Sequence, residues 1–436
     1  MTDLALGYLS FPLLLLLIFL RAPIGLAMLL CGIGGLWLAT DGTTVFMARL
    51  KSEVFSTFSS YNLSIIPMFL LMGQFATYSG MSRSLFKAAE AWLGHRKGGM
   101  AMASVGACAG FGAICGSSLA TAATMSKVAL PELRKYGYSG GFSTATLAAG
   151  GTLGILIPPS VILVIYAILT EQNIAKLFAA AFIPGILAAL GYMLTIAIYV
   201  RLYPDQAGTR ARIPYIARFK ALGAVWPVLI VFGLVVGGIY QGWFTPTEGA
   251  AVGAMGTGLI AFFSGSLNWQ VFRQSITETA TGTGMIFFIV LGAAFYNGFL
   301  ALTQVPQELS AWVALQGFSP WTIMVLILIF YLILGCLMDS LSMILLTVPI
   351  FWPVISGLDF GMTTEELAIW FGIMVLIVVE VGLITPPVGM NLFIINSMDK
   401  ETPMTATYKS VLFFVGSDVV RVFILLMFPA ITLVFV

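Results

Sequence analysis

The sequence predicts an all-α polytopic membrane protein made of two inverted repeats, each with five spans and one re-entrant helical hairpin. Three observations predict it. The 436 residues are 59% hydrophobic and only 9% charged, with a mean hydropathy of +1.02, where a soluble domain carries about 25% charged residues. The apolar residues gather in runs long enough to cross a bilayer. The lysines and arginines gather on one side of those runs, as the positive-inside rule requires.

Taken in order, spans are expected at 4–20, 24–40, 62–81, 142–168, 177–200, 221–242, 248–266, 280–300, 367–396 and 411–436. The first run has no Lys or Arg before it, whereas a cleaved signal peptide opens on a positive segment. It therefore reads as a retained helix with its N-terminus outside. The stretch 43–60, with Arg49, Lys51 and Glu53 among aromatics, reads as an interfacial helix. The stretches 99–132 and 317–353 are apolar but interrupted by Gly, Ser or Asp at their centres, and read as hairpins that enter and leave on one side. The polar stretch 201–220 reads as a cytoplasmic arm between the halves.

Charge tests this order. With the N-terminus outside, the cytoplasmic segments hold Arg21, Arg83, Lys87, Arg96, Lys97, Arg134, Lys135, Arg201, Arg210, Arg212, Arg218, Lys220, Arg273, Lys400 and Lys409. The outside segments hold only Arg49, Lys51 and Lys176, with the acids Asp359, Glu365 and Glu366. Reading either interrupted stretch as a full span would flip everything after it, and for 99–132 that would put 82–97 and Arg134 on opposite sides. Five crossings per half is odd, so the second half is inverted, an arrangement typical of secondary transporters with midplane sites at broken helices.

Several classes are excluded. Cys31, Cys108, Cys115 and Cys336 form no CxxC or Cys/His cluster, so neither a metal site nor a disulfide framework is signalled. The single histidine, His95, sits in the basic segment His95–Lys97 and reads as a membrane-surface residue. No basic patch with interleaved aromatics exists, which argues against nucleic acid. A membrane hydrolase needs a nucleophile and base at workable spacing, and none is visible.

The chemistry concentrates at four places. Gly150–Ser160 (GGTLGILIPPS) and Glu380–Gly389 (EVGLITPPVG) each lead from glycines into a Pro-Pro pair inside a span. Proline removes a helix donor, clashes with the preceding turn and pushes its predecessor out of helical geometry. Unwound backbone at membrane depth survives only beside protein or a water-filled cavity. The hairpin tips Gly112–Ala120 and Gly335–Ser342 offer small residues, hydroxyls and carbonyls, hard ligands suited to Na⁺. Half-helix N-termini there offer amide donors to an anion. Packing alone also favours small residues in membranes. Asp339 and Glu380 are the acids near the middle of apolar segments, where a charge costs roughly 2.5–3.5 kcal/mol. Asp418 and Arg421, three apart in the last span, are expected to pair. Lys127, towards one hairpin leg, is the sole basic residue near the midplane. A carboxylate would then be held by amides and hydroxyls, with modest affinity, which makes a separate capture protein useful.

Six segments carry a resemblance over nearly the whole chain and in order. They are IIPMFLLMG at Ile65–Gly73, ALPELRKYGY at Ala129–Tyr138, IPPS at Ile157–Ser160, FTPTEG at Phe244–Gly249, GCLMD at Gly335–Asp339 and GLITPPVGMNLF at Gly382–Phe393. Together they resemble the large membrane (M, DctM-type) subunit of the TRAP (tripartite ATP-independent periplasmic) transporters. The resemblance implies Na⁺-coupled uptake of an organic acid by an elevator-type transporter with scaffold and transport domains. It implies two partners, a small four-helix membrane (Q-type) subunit and a periplasmic substrate-binding (P-type) protein, and an inner-membrane location with both termini periplasmic. No four-helix block precedes Leu4, so the small partner is expected as a separate chain.

By the same resemblance, residues 1–61, 171–279 and 397–436 form the scaffold, and 62–170 and 280–396 the transport domain. One Na⁺ site draws on Ser117, Ser118, Gly154 and Pro158. A second draws on Gly335, Asp339, Ser340, Thr385 and Gly389. The substrate is expected at Gly116, Ser117, Ser160, Asp339, Pro387 and Asn391. Many relatives carry Asn two positions before the glutamate at Glu380, where this chain has Val378. The rival from the same fold type is a self-sufficient Na⁺/anion symporter that needs no capture protein. Sialic acid, C4-dicarboxylates, other sugar acids and sulfonates all remain open as substrates.

Overall fold

In the computed structural model, which describes residues 3–40 and 43–436, every regular element is helical. The first part of the chain forms α1 (Asp3–Phe19), α2 (Ile24–Thr40), α3 (Thr43–Ser59), α4 (Ile65–Tyr78) and α5 (Met81–Leu93). These are followed by α6 (Gly99–Cys115), α7 (Ser118–Lys135), α8 (Gly140–Leu156), α9 (Val161–Thr170) and α10 (Ile174–Leu202). After α11 (Tyr215–Gly223) come α12 (Trp226–Tyr240), α13 (Pro246–Phe263), α14 (Trp269–Leu302) and α15 (Val305–Leu315). The chain ends in α16 (Pro320–Gly335), α17 (Ser340–Ser356), α18 (Thr364–Gly382), α19 (Met390–Met398), α20 (Met404–Met427) and α21 (Ala430–Leu433).

Local chemistry sets the boundaries. Thr245 with Glu248, and Thr363 with Glu366, form capping boxes that start α13 and α18. Asn173 and Asn268 cap α10 and α14, the two longest helices at 29 and 34 residues. At 1.5 Å per residue, 29 residues reach about 43 Å, more than the ~30 Å hydrocarbon thickness. Helices α10, α14 and α20 each have the length and apolarity of a span. Three further pairs reach it together across a bend of 46–48°, among them α3 with α4 and α8 with α9. Large apolar side chains such as Leu16, Leu38, Leu229, Phe263, Ile333 and Phe423 stand half exposed or more, a surface suited to lipid rather than water. The chain is a multi-pass membrane protein.

The order of elements occurs twice. Two helices, a long or bent helix, a short helix, a two-helix hairpin, a broken helix and a long helix run from α1 to α10 and again from α12 to α20. One departure is the 48° bend between α3 and α4, where α14 runs unbroken. The short helices α5 and α15 are absent from the sequence expectation, α14 begins at Trp269 rather than 280, and the last span stops at Met427 before Pro429.

Two packed groups emerge. Helix α8 is surrounded by α6, α7, α10, α19 and α20, and α18 by α9, α10, α16, α17 and α20. The broken helices cross over: α9 packs on α17, and α19 on α7. In the second group α2 lies along α14, α13 along α4, and α12 on α13. Backbones approach closely there, since a Cβ on Gly292 would come within 2.3 Å of the Gly25 carbonyl oxygen. The arm folds back on α5: Arg210 pairs with Glu90 and its amide donates to the Gly94 carbonyl at 3.1 Å, while Phe219 meets Trp92 edge-on.

Candidate functional site

The first hairpin turns at Gly116 and Ser117. Gly116 takes a left-handed φ of +64°, which favours glycine. Ser117 is extended and its hydroxyl caps α7, accepting from the Ala120 amide at 3.4 Å. The second hairpin turns through Cys336–Asp339, and there the cap is a carboxylate: Asp339 Oδ2 accepts from the Ser342 amide at 3.0 Å. Both tips end in an extended residue whose side chain caps the next helix, but they differ in turn length and in charge.

Each tip is held down by a glycine pair. A Cβ on Gly112 would lie 2.4 Å from the Gly154 Cα, and one on Gly382 would lie 2.6 Å from the Gly335 Cα. Real Cβ contacts are not that short, so the hairpin arm and the end of the broken helix meet backbone to backbone. A Cβ on Gly154 would also meet Thr121 Oγ1 at 2.4 Å and the Ser117 carbonyl oxygen at 2.8 Å. The hydroxyl of Thr121 and the carbonyl of Ser117 therefore crowd one notch.

The breaks are built differently. Helix α8 ends at Leu156 and α9 restarts after Pro158 and Pro159, with the Ser160 hydroxyl accepting from the Leu163 amide at 3.4 Å. Helix α18 ends at Gly382, and α19 restarts only after Gly389, which has φ +64° and no side-chain cap. Between them the Thr385 hydroxyl donates to the Val381 carbonyl at 2.6 Å, and the exposed Pro387 offers its carbonyl to the Tyr408 hydroxyl at 2.6 Å.

The tips meet at one cavity of about 190 Å³. Gly116, Ser117 and Ser118 line it from the first hairpin, Asp339 and Ser340 from the second, and Leu70 of α4 with Gly282 and Met285 of α14 face them. Behind it lies Glu380, fully buried at the end of α18. Its Oε1 accepts from the Ser340 hydroxyl at 2.7 Å, and Ser118 of the other hairpin faces the same carboxyl group. Six oxygens of these segments, Thr121 Oγ1, Ser126 Oγ, Thr146 Oγ1, Ser342 Oγ, Glu380 Oε2 and Asn391 Oδ1, are buried without a hydrogen-bond partner among the described residues. Such atoms are costly unless something binds them.

The expected residues divide accordingly. Gly116, Ser117, Ser118, Asp339 and Ser340 come together around the cavity. Gly154 and Gly335 lie at the close approaches beside it. Pro158, Ser160, Thr385, Pro387, Gly389 and Asn391 do not line it. Asn391 instead turns to α8, its amide donating to the Ala148 carbonyl at 3.4 Å. Asp418 and Arg421 pair at 2.8 Å, as their spacing predicted, and Asp418 also accepts from Tyr192 at 2.8 Å. Thr121 was not anticipated, because a threonine one turn into a hairpin arm has the same sequence signature as a packing residue. No cluster of three His, Cys, Asp or Glu side chains occurs among the described residues.

An all-helical membrane protein with two broken helices and two hairpin tips that meet at one cavity has the build of a transporter. Residues 11–431 match the family described as "Tripartite ATP-independent periplasmic transporter, DctM component". The chain is 36% identical over 386 residues to the C4-dicarboxylate TRAP transporter large permease protein DctM of Pseudomonas aeruginosa, covering 88% of each chain. It is 29% identical to the sialic acid TRAP transporter permease protein SiaT of Haemophilus influenzae, covering 97% of this chain and 67% of that one. The YdaH transporter of Alcanivorax borkumensis shares the fold, with a TM-score of 0.64 at 15% identity over 90% of both chains. The chain belongs to the DctM family of TRAP transporter large permeases. These relatives are transporter permease subunits, not enzymes.

Proposed function

We propose that this chain is the inner-membrane permease of a tripartite system that takes up an organic acid with Na⁺ by an elevator motion. The observation that carries this reading is the convergence of both hairpin tips on one cavity that faces α4 and α14. The tips sit on one packed group, and α4 and α14 belong to the other. A site between two such groups changes sides when one slides past the other, and helices that form two inverted halves make both end states similar in energy.

The packing supports a division that differs from the sequence expectation. Helices α10 and α20 lie against α8 and α18, so we group them with the hairpins as the moving unit. Helices α4 and α14 lie against α13 and α2, so we group them with the scaffold. Ion pairs agree with the expected sidedness, since Lys176–Glu365 (2.7 Å) joins two residues assigned outside and Arg134–Asp399 joins two assigned to the cytoplasm. That sidedness leaves both termini periplasmic.

For the coupling ions, Ser117, Ser118 and Gly154, with Thr121 added, form the first Na⁺ site. Gly335, Asp339, Ser340, Thr385 and Gly389 remain the second. Pro158 contributes by unwinding the chain. The named relatives are permeases for C4-dicarboxylates and sialic acid, both anionic acids. An anionic group fits between the amide ends of α7 and α17, with Gly116, Ser117 and Asp339 nearest. A periplasmic binding protein delivers the acid and a small membrane subunit braces the scaffold. Uptake into proteoliposomes holding both membrane subunits tests this. We expect accumulation that needs an inward Na⁺ gradient and the acid-loaded binding protein. Uptake without the binding protein would replace this reading with a self-sufficient Na⁺/anion symporter.

A further inference from the structure

A second cavity, of about 450 Å³, lies far from the hairpin tips, where the loop between α5 and α6 meets the end of α10. Arg96, Lys97 and Arg201 line it, over an apolar floor of Met102, Ala197 and Val200. The three cations share this cavity and all three are exposed. Gly98, at φ +74°, seats the loop directly on α10, where an added Cβ would come within 2.9 Å of Ile196 and 3.0 Å of Val200. None of the three side chains makes an ion pair or hydrogen bond among the described residues, whereas the neighbouring Arg210 pairs with Glu90 and Arg218 donates to the Ile213 carbonyl at 2.9 Å. Asp205, next to Pro204 of the cavity wall, makes no ion pair either. Desolvation, then the charges of Arg218 and Arg212 from the arm and of Arg96, hold the His95 imidazole below its ordinary range.

One further feature selects the occupant. Leu190, Leu194, Ile198 and Leu202 are spaced four apart on α10 and are 45–62% exposed. They form a single apolar stripe that ends beside Arg201. A charged cup at the end of an apolar track suits an amphiphile, with its head in the cup and its chain along the helix. Basic pockets between helices at the cytoplasmic boundary hold anionic headgroups. We propose that Arg96, Lys97 and Arg201 form a binding site for the phosphate headgroup of an anionic phospholipid whose acyl chain lies along the α10 stripe. The site goes beyond the transport reading and stands without it. Its occupant would neutralise the repulsion between the three cations.

Native mass spectrometry of the purified full chain, released from detergent holding equal phosphatidylglycerol and phosphatidylcholine of matched chains, tests the site. The wild type should retain phosphatidylglycerol. Each cation near a membrane surface contributes about fivefold to such binding, so the Arg96→Gln, Lys97→Gln, Arg201→Gln triple variant should retain about a hundredfold less. A control that removes Arg21, Lys220 and Arg273 in the same way should bind like the wild type. Should the triple variant melt early, Lys97→Gln alone, at an exposed position, should still show the fivefold loss. Undiminished retention by these variants, or equal retention of phosphatidylcholine, would overturn the proposal. Displacement of the lipid by inorganic phosphate would overturn it in favour of a soluble-anion site.

Discussion

The two hairpins follow one plan in different surroundings. Helix α6 of the first is built mostly from small residues, glycine and alanine above all, and is buried along almost its whole length, with α4, α5, α8, α10 and α12 around it. Helix α16 of the second is built from leucine, isoleucine, phenylalanine and tyrosine. It packs mainly on α17 and α18, and Leu326, Ile329, Phe330 and Ile333 stand 43–58% exposed. Small side chains permit helices on every side, whereas large ones suit a face turned to lipid. The tips differ in parallel, since a serine hydroxyl caps α7 and a carboxylate caps α17. The first hairpin therefore joins a sealed arm to a neutral tip, and the second an open arm to a charged one.

The largest effects should come from the feature the hairpins share. Gly154→Val and Gly382→Val each place atoms where backbone already sits. Overpacking of this kind costs about 1–3 kcal/mol, and each variant should lose uptake and melt earlier. Tolerance of one but not the other would show that the two seats are not equivalent.

Charge is where the tips part. Asp339→Asn keeps the α17 cap, because asparagine caps as well as aspartate, so any loss reports the carboxylate. Interactions with a charged group are worth about 1.5–3 kcal/mol, and Na⁺-dependent uptake should fall about tenfold or more. Ser117→Ala removes a neutral cap worth about 1 kcal/mol, and should cost about fivefold. Equal losses measured under one Na⁺ gradient would erase the proposed difference.

Exposure should show in dynamics. Amide hydrogen exchange ought to be faster along α16 and its tip than along α6, because few helices cover it. Matching protection would mean that another surface covers α16 in the membrane.

The smallest effect lies at the start of α18. The Thr363 amide and hydroxyl donate to Glu366 and hold its carboxyl below the ordinary range. A lowered folded value contributes stability above the unfolded value, about 4.3, and loses it as pH falls through the folded one. Glu366→Gln should therefore melt below the wild type at neutral pH, and the two should converge in strong acid.

Much of this arrangement is legible in the sequence. The interruptions at 99–132 and 317–353 and the sidedness of Arg96 and Arg134 were enough to infer hairpins. Paired prolines located both breaks. The short helices α5 and α15 escaped, since α5 mixes Arg83, Lys87 and Glu90 with apolar residues and is too short to look like a span. That α10 and α20 pack on α8 was not legible, because hydropathy records that a helix is apolar and not which neighbour it meets. Asp339 and Glu380 stood out as acids in apolar segments, but their different surroundings did not. The first reaches the cavity, and the second is tied to Ser340 behind it.

The central claim is that the hairpin tips slide past α4 and α14. Disulfide trapping tests it most directly. Leu119→Cys and Met285→Cys lie across the shared cavity on the two groups, in a background where Cys31, Cys108, Cys115 and Cys336 are replaced. Oxidation should join them and stop Na⁺-driven uptake, and a reductant should restore it. Full uptake by the cross-linked protein would contradict the account, because the tips would then work without moving past the scaffold.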